Sequence, residues 1–250
     1  MVWHTVDDLS AAEAAAFGSR ESSLMLPGEV VNNSKTSIMK KVRVGEKNYY
    51  VKRYFRSGKY LRRYLGSSRV AREWSNAGWF SDHGIPTPRR IAFGEGKRLS
   101  SDYWGLIISE EVTGAVDLRN VYRYHRQQFD NRKWRQAVID RLAGVIRSIH
   151  GHEFIHNDLQ WRNLLVDFSI WPEVYIIDCP AGRKIVLRGN RRGVIKDLAL
   201  LDKQARLVLT RSERLRFYLR YLGTDRLQER DKKEIRRIMM FFEGRVVTAA

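Results

Sequence analysis

His156, Asp158 and Asn163 stand in the pattern H-x-D-x-x-x-x-N, followed at once by the apolar run Leu164-Leu165-Val166. A second apolar run, Val174 to Ile177, ends on another carboxylate, Asp178. About 0.01 matches to the first pattern are expected by chance from the numbers of His, Asp and Asn in the chain. These residue types suit phosphoryl transfer. That reaction needs a carboxylate to orient an acceptor hydroxyl and take its proton, and hard oxygen ligands for Mg²⁺ ions that bridge the donor phosphates. Asp158 fits the first need, and Asn163 and Asp178 fit the second. Singly, Asp158 and Asn163 would be ordinary turn residues and Asp178 an ordinary strand end. Jointly, the spacing and the flanking strands favour a site.

The elements that must position these groups follow from periodicity and punctuation. Thr5 to Phe17 reads as a helix opened by a Thr5/Asp8 capping box. Ile38–Val44 and Lys47–Tyr54 read as strands around a turn at Gly45-Glu46. Ser68 to His83 reads as a helix with Val70, Trp74, Ala77 and Phe80 on one face, ended by Gly84. Arg90–Phe93 and Tyr103–Ser109 read as further strands around a polar turn at Gly94 to Asp102. After Gly114 the pattern turns helical: Leu118–Gln128, then Asn131–His150 capped by Asp130, with the stripe Val138, Leu142, Val145 and Ile149. Two short strands carry the candidate site, and helices near 193–208, 212–222 and 227–243 finish the chain. The expected class is α+β, with a β-rich lobe over 1–112, a mainly helical lobe over 113–250, and a ligand cleft where they meet.

A motif that follows an amphipathic helix and precedes a short hairpin ending in Asp resembles the catalytic loop of protein kinases. The chain is similar to the protein-kinase-like superfamily. Within it, the chain most resembles the bacterial lipopolysaccharide core kinases, which phosphorylate heptose or 3-deoxy-manno-octulosonic acid (Kdo) sugars. The likeness runs through Tyr49-Tyr50-Val51-Lys52-Arg53-Tyr54, Ala71-Arg72-Glu73-Trp74, Gly84-Ile85-Pro86-Thr87-Pro88, Ser109–Gly114 and Lys196-Asp197-Leu198-Ala199. It implies a two-lobed kinase-like fold, with one central helix in the β-rich lobe, and use of ATP and Mg²⁺. It puts Lys52 at the family's phosphate-binding lysine, the backbone around Glu110 to Val112 at the adenine, and His156 and Asp197 as braces of the catalytic loop. Glu73, on the inward side of its helix, needs a cation partner, and Lys52 is the obvious one.

The chain also departs from the kinase pattern. Gly28 to Ile38 holds no G-x-G-x-x-G, so Ser34 and Lys35, within Asn32-Asn33-Ser34-Lys35-Thr36, are the expected phosphate donors. The D-F-G triplet reads Asp178-Cys179-Pro180. Asn157 replaces the Arg that reads a phosphorylated activation loop, and no A-P-E is present. Only a short basic segment separates Asp178 from the helix of Asp197, which argues against a peptide-docking platform.

With 46 Lys and Arg against 28 Asp and Glu, the 250-residue chain carries a formal charge of +18. A polyanionic partner is implied. Cations cluster in residues 52–64, around 119–135 and from Arg183 to Arg192, where Arg188, Arg191 and Arg192 are the expected acceptor contacts. An anionic lipopolysaccharide core acceptor at a membrane surface fits these clusters. Nucleic acid is disfavoured, because no RNA-binding motif accompanies them. Trp79, Trp104, Trp134 and Trp161 read as core rather than sugar platforms, with Trp161, inside the catalytic loop, the one worth testing as a platform. The single cysteine, Cys179, fits a reducing compartment. No stretch approaches the ~18 apolar residues of a membrane span. The N-terminus does not read as a signal peptide, so the expected place is the cytoplasm, peripheral at the inner face of the inner membrane. The expected activity is ATP-dependent phosphorylation of a heptose or Kdo hydroxyl. A kinase of the aminoglycoside or choline type is the alternative, though its cationic acceptors suit a +18 chain poorly. A pseudokinase that binds membrane or partners is the contrasting reading. The altered nucleotide loop favours it, and the complete set Lys52, Glu73, Asp158, Asn163 and Asp178 opposes it.

Overall fold

The computed structural model describes residues 1–55, 67–96, 103–185 and 191–243. The chain separates into two compact units, Met1–His83 with Thr87–Thr113, and Gly84–Pro86 with Gly114–Ala250.

The first unit is built on an antiparallel sheet, six-stranded among the described residues. Its strands are β1 (Val2–Thr5), β2 (Gly28–Asn33), β3 (Ser37–Val44), β4 (Lys47–Tyr54), β5 (Arg90–Glu95) and β6 (Gly105–Glu110), in the spatial order β1-β5-β6-β4-β3-β2. Helices α1 (Ala11–Phe17) and α2 (Arg20–Met25) precede β2, and α3 (Arg69–Asp82) follows β4. Strand alternation divides the core. Val51, Leu106 and Ile108 pack with Phe17 of α1, whereas Tyr54 and Ile107 pack with Val70 of α3. Lys52 therefore shares the α3 face with Tyr54.

Sequence periodicity misplaced the first helix. Residues 2–5 pair with β5 instead, Trp3 donating its indole N–H to the Phe17 carbonyl at 3.1 Å. Its ring lies so close over Gly94 that a Cβ there would sit 2.3 Å from the indole. The capping box is Ser10/Glu13, not Thr5/Asp8, because the chain is still extended at Thr5. The supposed loop from Gly28 to Ile38 is mostly β2, leaving Ser34 to Thr36 as a tight turn into β3.

The second unit holds β7 (Val116–Asp117), α4 (Leu118–Tyr124), α5 (Arg126–Asp130), the long α6 (Arg132–Gly151) and β8 (Phe154–Ile155). After a 3₁₀ turn at Trp161–Asn163 come β9 (Leu164–Val166), β10 (Val174–Ile176), β11 (Arg183–Lys184), α7 (Arg192–Val208), α8 (Arg211–Leu222) and α9 (Glu229–Met239). The α6 stripe Val138, Leu142, Val145 and Ile149 is buried. Asn131, not Asp130, caps α6, accepting from the Lys133 and Trp134 N–H groups. The helix expected over Leu118–Gln128 breaks at His125, whose ψ of 48° is not helical. β9 pairs with both β10 and β7, and β11 pairs with β8, so short ladders frame the loop between β8 and β9.

Candidate active site

The loop from His156 to Asn163 is anchored from beneath by α7. Asp197 is fully buried, and its two oxygens accept the His156 N–H at 2.7 Å and the Asn157 N–H at 2.8 Å. His156 is buried as well, and burial holds its imidazole below the usual histidine range. The hydrogen bonds fit one neutral tautomer. Nδ1 accepts from the Asp158 N–H and Nε2 donates to the Ile177 carbonyl, each at 3.3 Å. Asn157 takes the left-handed backbone, φ 66°, at the bend.

These anchors present Asp158 half-buried at the top of the loop. Its carboxylate accepts from Gln160 Nε2 at 2.5 Å and from Arg162 at 3.3 Å. Asn163 Nδ2 donates to the Asp158 carbonyl at 2.8 Å and to its carboxylate at 3.3 Å. With its NH₂ so engaged, the Asn163 amide turns its oxygen away from Asp158. The Ile177 N–H bonds the Asn163 carbonyl at 3.1 Å, which ties β10 and the following Asp178 to the same loop. Asp178 sits at φ 54°, a left-handed kink at the end of the strand run. Among the described residues, no group of three His, Cys, Asp or Glu could hold a metal. Asn163 and Asp178 would supply two hard oxygen donors, the sparse protein share that Mg²⁺ accepts when phosphates and water complete its shell.

In the first unit, Lys52 Nζ meets Glu73 at 3.0 Å, and Tyr54 donates to the same carboxylate. Glu73 is 8% exposed, so this ion pair is largely desolvated. At the end of β6, the Glu110 N–H donates to Arg89 and the Glu111 N–H to Asn48. Beyond these two, the Val112 N–H makes no backbone hydrogen bond among the described residues. Glu110 is paired with Lys47 and Arg89. Glu111 accepts from Lys41, Asn48 and Tyr50, and against burial these bonds hold its carboxyl below the usual range. Ser34 closes its own turn, its hydroxyl accepting from the Ser37 N–H at 3.1 Å, and Lys35 is exposed beside it.

Of the expected acceptor cations, Arg188 lies outside the described residues, as do the cations between 56 and 66. Arg191 pairs with Glu234 of α9 at 2.9 Å while its side chain stays 59% exposed. Arg192 is exposed at the start of α7. Trp161 is 4% exposed, so it belongs to the core and offers no sugar platform. Sequence reasoning missed Gln160, Arg162, Tyr54 and Glu111. Gln160 and Arg162 had a signal, since they stand two and four residues after Asp158. Glu111 and Tyr50 meet across two strands, and nothing local announces such a pair.

The sequence pattern of the lipopolysaccharide kinase (Kdo/WaaP) family matches residues 24–236. A solved structure titled "WaaP in complex with acyl carrier protein" is 20% identical over 97% of each chain, with a TM-score of 0.73. The protein-kinase-like architecture of an antiparallel sheet unit followed by a helical unit is common to both. Matched from α2 to α9, the chain belongs to the lipopolysaccharide kinase (Kdo/WaaP) family and is a phosphotransferase acting on a sugar hydroxyl of the lipopolysaccharide core.

Proposed function

We propose that the protein transfers phosphate from ATP to a heptose or Kdo hydroxyl of the inner core, at the inner face of the inner membrane. Residues 1–112 form the nucleotide-binding part and 113–250 the catalytic part. The observation that carries this reading is the Asp158–Asn163 arrangement, held from below by buried Asp197. Asp158 orients the acceptor hydroxyl and takes its proton, while Gln160 and Arg162 fix its carboxylate. Lys52, aligned by Glu73, holds the donor phosphates, and Ser34 and Lys35 contact them from the β2–β3 turn. The Val112 N–H bonds the adenine edge, with Glu110 locked beside it by Arg89. Asn163 and Asp178 hold Mg²⁺, which when bound neutralises charge on the donor phosphates. Arg192 and Arg188 meet the anionic acceptor, with the exposed, Glu234-paired Arg191 beside them. The +18 charge favours such an acceptor over the cationic ones of aminoglycoside and choline kinases.

Mass spectrometry of core oligosaccharide from cells with and without the protein tests this reading. Loss of one phosphate from a heptose or Kdo residue is expected. An unchanged core would remove the proposal.

A cavity in the helical unit supports a second partner. It holds about 420 Å³ and is walled by apolar side chains including Trp134, Val138, Leu142, Leu201 and Ile238, with Arg211 and Arg214 also lining it. That volume lies in the range of ligand pockets. Since the solved WaaP is titled as a complex with acyl carrier protein, we propose that this chain also docks such a carrier, the acyl chain entering the cavity. Native mass spectrometry should show a complex with acylated but not with unacylated carrier protein. Equal binding of both would exclude the cavity.

A further inference from the structure

The strands β9 and β10 carry the candidate chemistry at their base and an apolar tip at their other end. Ile170 is 85% exposed and Trp171 86%, and Trp171 is the one exposed tryptophan among seven. The tip is a built turn. Asp167 accepts the Ser169 N–H at 2.9 Å and the Glu173 N–H at 3.1 Å, and its own carbonyl accepts the Trp134 indole N–H at 3.1 Å. Phe168 packs between His125 and Trp134, at ring distances of 5.0 and 6.0 Å. That contact joins the tip to the end of α4, where Tyr124 is 74% exposed. Around these aromatics, Arg123, Arg132 and Lys133 are exposed. The neighbouring acids are committed: Asp130 to Arg126, Glu173 to Arg141, and Asp167 to the turn itself.

We propose that this tip, with the basic ends of α4, α5 and α6 beside it, is the surface that docks the protein on an anionic lipid bilayer. The proposal deepens the reading above, in which the acceptor is lipid-anchored, by naming the surface that meets its membrane. Trp and Tyr partition to the headgroup level, and Ile170 adds an apolar side chain beyond them. Each exposed cation near an anionic surface adds about fivefold in binding. Because the turn is already ordered by Asp167, little freedom is lost on insertion. Two projecting side chains bury a few hundred Å² at most, far short of the ~1,200 Å² of a stable protein interface, whereas a bilayer needs no matching surface. Three-residue strands rise about 10 Å, so the docked tip keeps the base of the hairpin near the membrane that holds the acceptor.

The test uses the full chain with vesicles of phosphatidylcholine alone or mixed with phosphatidylglycerol. Wild type should bind the mixed vesicles at least about a hundredfold tighter. Brominated lipid should quench its fluorescence, and Trp171→Phe should remove most of that quenching. The double variant Ile170→Ser/Trp171→Ser should bind about tenfold more weakly, with an unchanged melting temperature. Arg123→Gln/Arg132→Gln/Lys133→Gln should weaken binding about a hundredfold and flatten its salt dependence. Phosphate transfer by the double variant should fall on vesicle-embedded acceptor and stay at wild-type level on a deacylated, soluble one. Equal vesicle binding by wild type and the double variant overturns the proposal. So does a dimer-to-monomer change in sedimentation with vesicle binding intact, which would assign the tip to a second copy of the chain. Wild type that binds vesicles but phosphorylates neither acceptor would instead remove the kinase reading and leave the docking surface standing.

Discussion

The Asp158 carboxylate accepts from Gln160 on one oxygen and from Arg162 and Asn163 on the other, so an amide there keeps the volume and the bonds on one oxygen but loses the charge and the proton acceptor. Asp158→Asn should keep nucleotide affinity and the melting temperature while turnover falls about 10²–10⁴-fold, the usual worth of a positioned proton acceptor. Calorimetric ATP binding beside a transfer assay checks both halves, and near wild-type turnover would exclude Asp158 as the base. Asp178 calls for a different readout. Asp178→Ala removes one of two proposed oxygen donors, so ATP affinity should lose its dependence on Mg²⁺. If ATP affinity responds to Mg²⁺ as in wild type, Asp178 is not a ligand. These carboxylates were legible in the sequence because their motif is contiguous and flanked by strands. The groups that hold them were less so. Asp197 came only through the family resemblance, and Tyr54 reaches Glu73 from a residue that reads as plain core.

Short elements here are fixed by single polar side chains, and two of these can be separated by mutation. Asn157 donates its amide to the Ala181 carbonyl at 3.0 Å, while its own carbonyl accepts from Lys196 at 2.6 Å. It thus links the loop of Asp158, the segment after Asp178 and α7, with no phosphorylated residue required. Asn157→Gly keeps the left-handed backbone and deletes the amide, a loss of about 1 kcal/mol, whereas Asn157→Ala adds roughly 1–2 kcal/mol of backbone cost. Urea titrations should rank wild type, Gly and Ala in that order, and a more stable Ala variant would contradict the assignment. Gly182 packs within the same segment, where a Cβ would meet the Cys179 sulfur at 2.4 Å, so Gly182→Ala should lower turnover by displacing it. The N-terminal helix is pinned by Glu13. Burial pushes its carboxyl up, but hydrogen bonds from Ser10, Arg89 and Tyr49 outweigh that and bring it to about 2. A carboxyl that titrates lower in the folded chain stabilises it fully above its ordinary 4.5, and that contribution is lost as pH falls from there towards 2. Glu13→Gln should cost about 3 kcal/mol at pH 7 and much less near pH 3; the same loss at both would dismiss the charge. This helix shows where periodicity failed. Ala-rich sequence continues a helical pattern back to Thr5, yet residues 2–5 pair as an edge strand, a tertiary choice made by Trp3 over Gly94. Long amphipathic α6 was readable because its whole stripe is buried, and α3 because Val70 and Phe80 are buried with Trp74 and Ala77 half-buried between them. The two-residue strands β8 and β11 were not, since two residues carry no period.

The net charge of +18 acts on the whole molecule, and its role in recognising an anionic acceptor depends on which cations are free. Arg191 and Arg192 are neighbours, and both are exposed. Arg191 is held by Glu234, which also accepts from Tyr218, so it ties α7 to α9. Arg192→Gln should raise the KM for the glycolipid acceptor by up to about fivefold, the worth of one exposed pair, and leave the KM for ATP unchanged. Arg191→Gln should instead lower the melting temperature, with a smaller change in acceptor KM. Salt separates the two further. Exposed charges are screened over about 8–10 Å at 0.1–0.15 M, so wild-type acceptor affinity should fall as salt rises. Arg192→Gln should fall less steeply, because one screened pair is already gone, whereas Arg191→Gln should keep the wild-type slope. The acceptor KM of each protein, measured across a salt series at fixed ATP, decides it. Parallel slopes for wild type and Arg192→Gln would show that the start of α7 is a solvated face and that the acceptor is read by cations elsewhere on the chain.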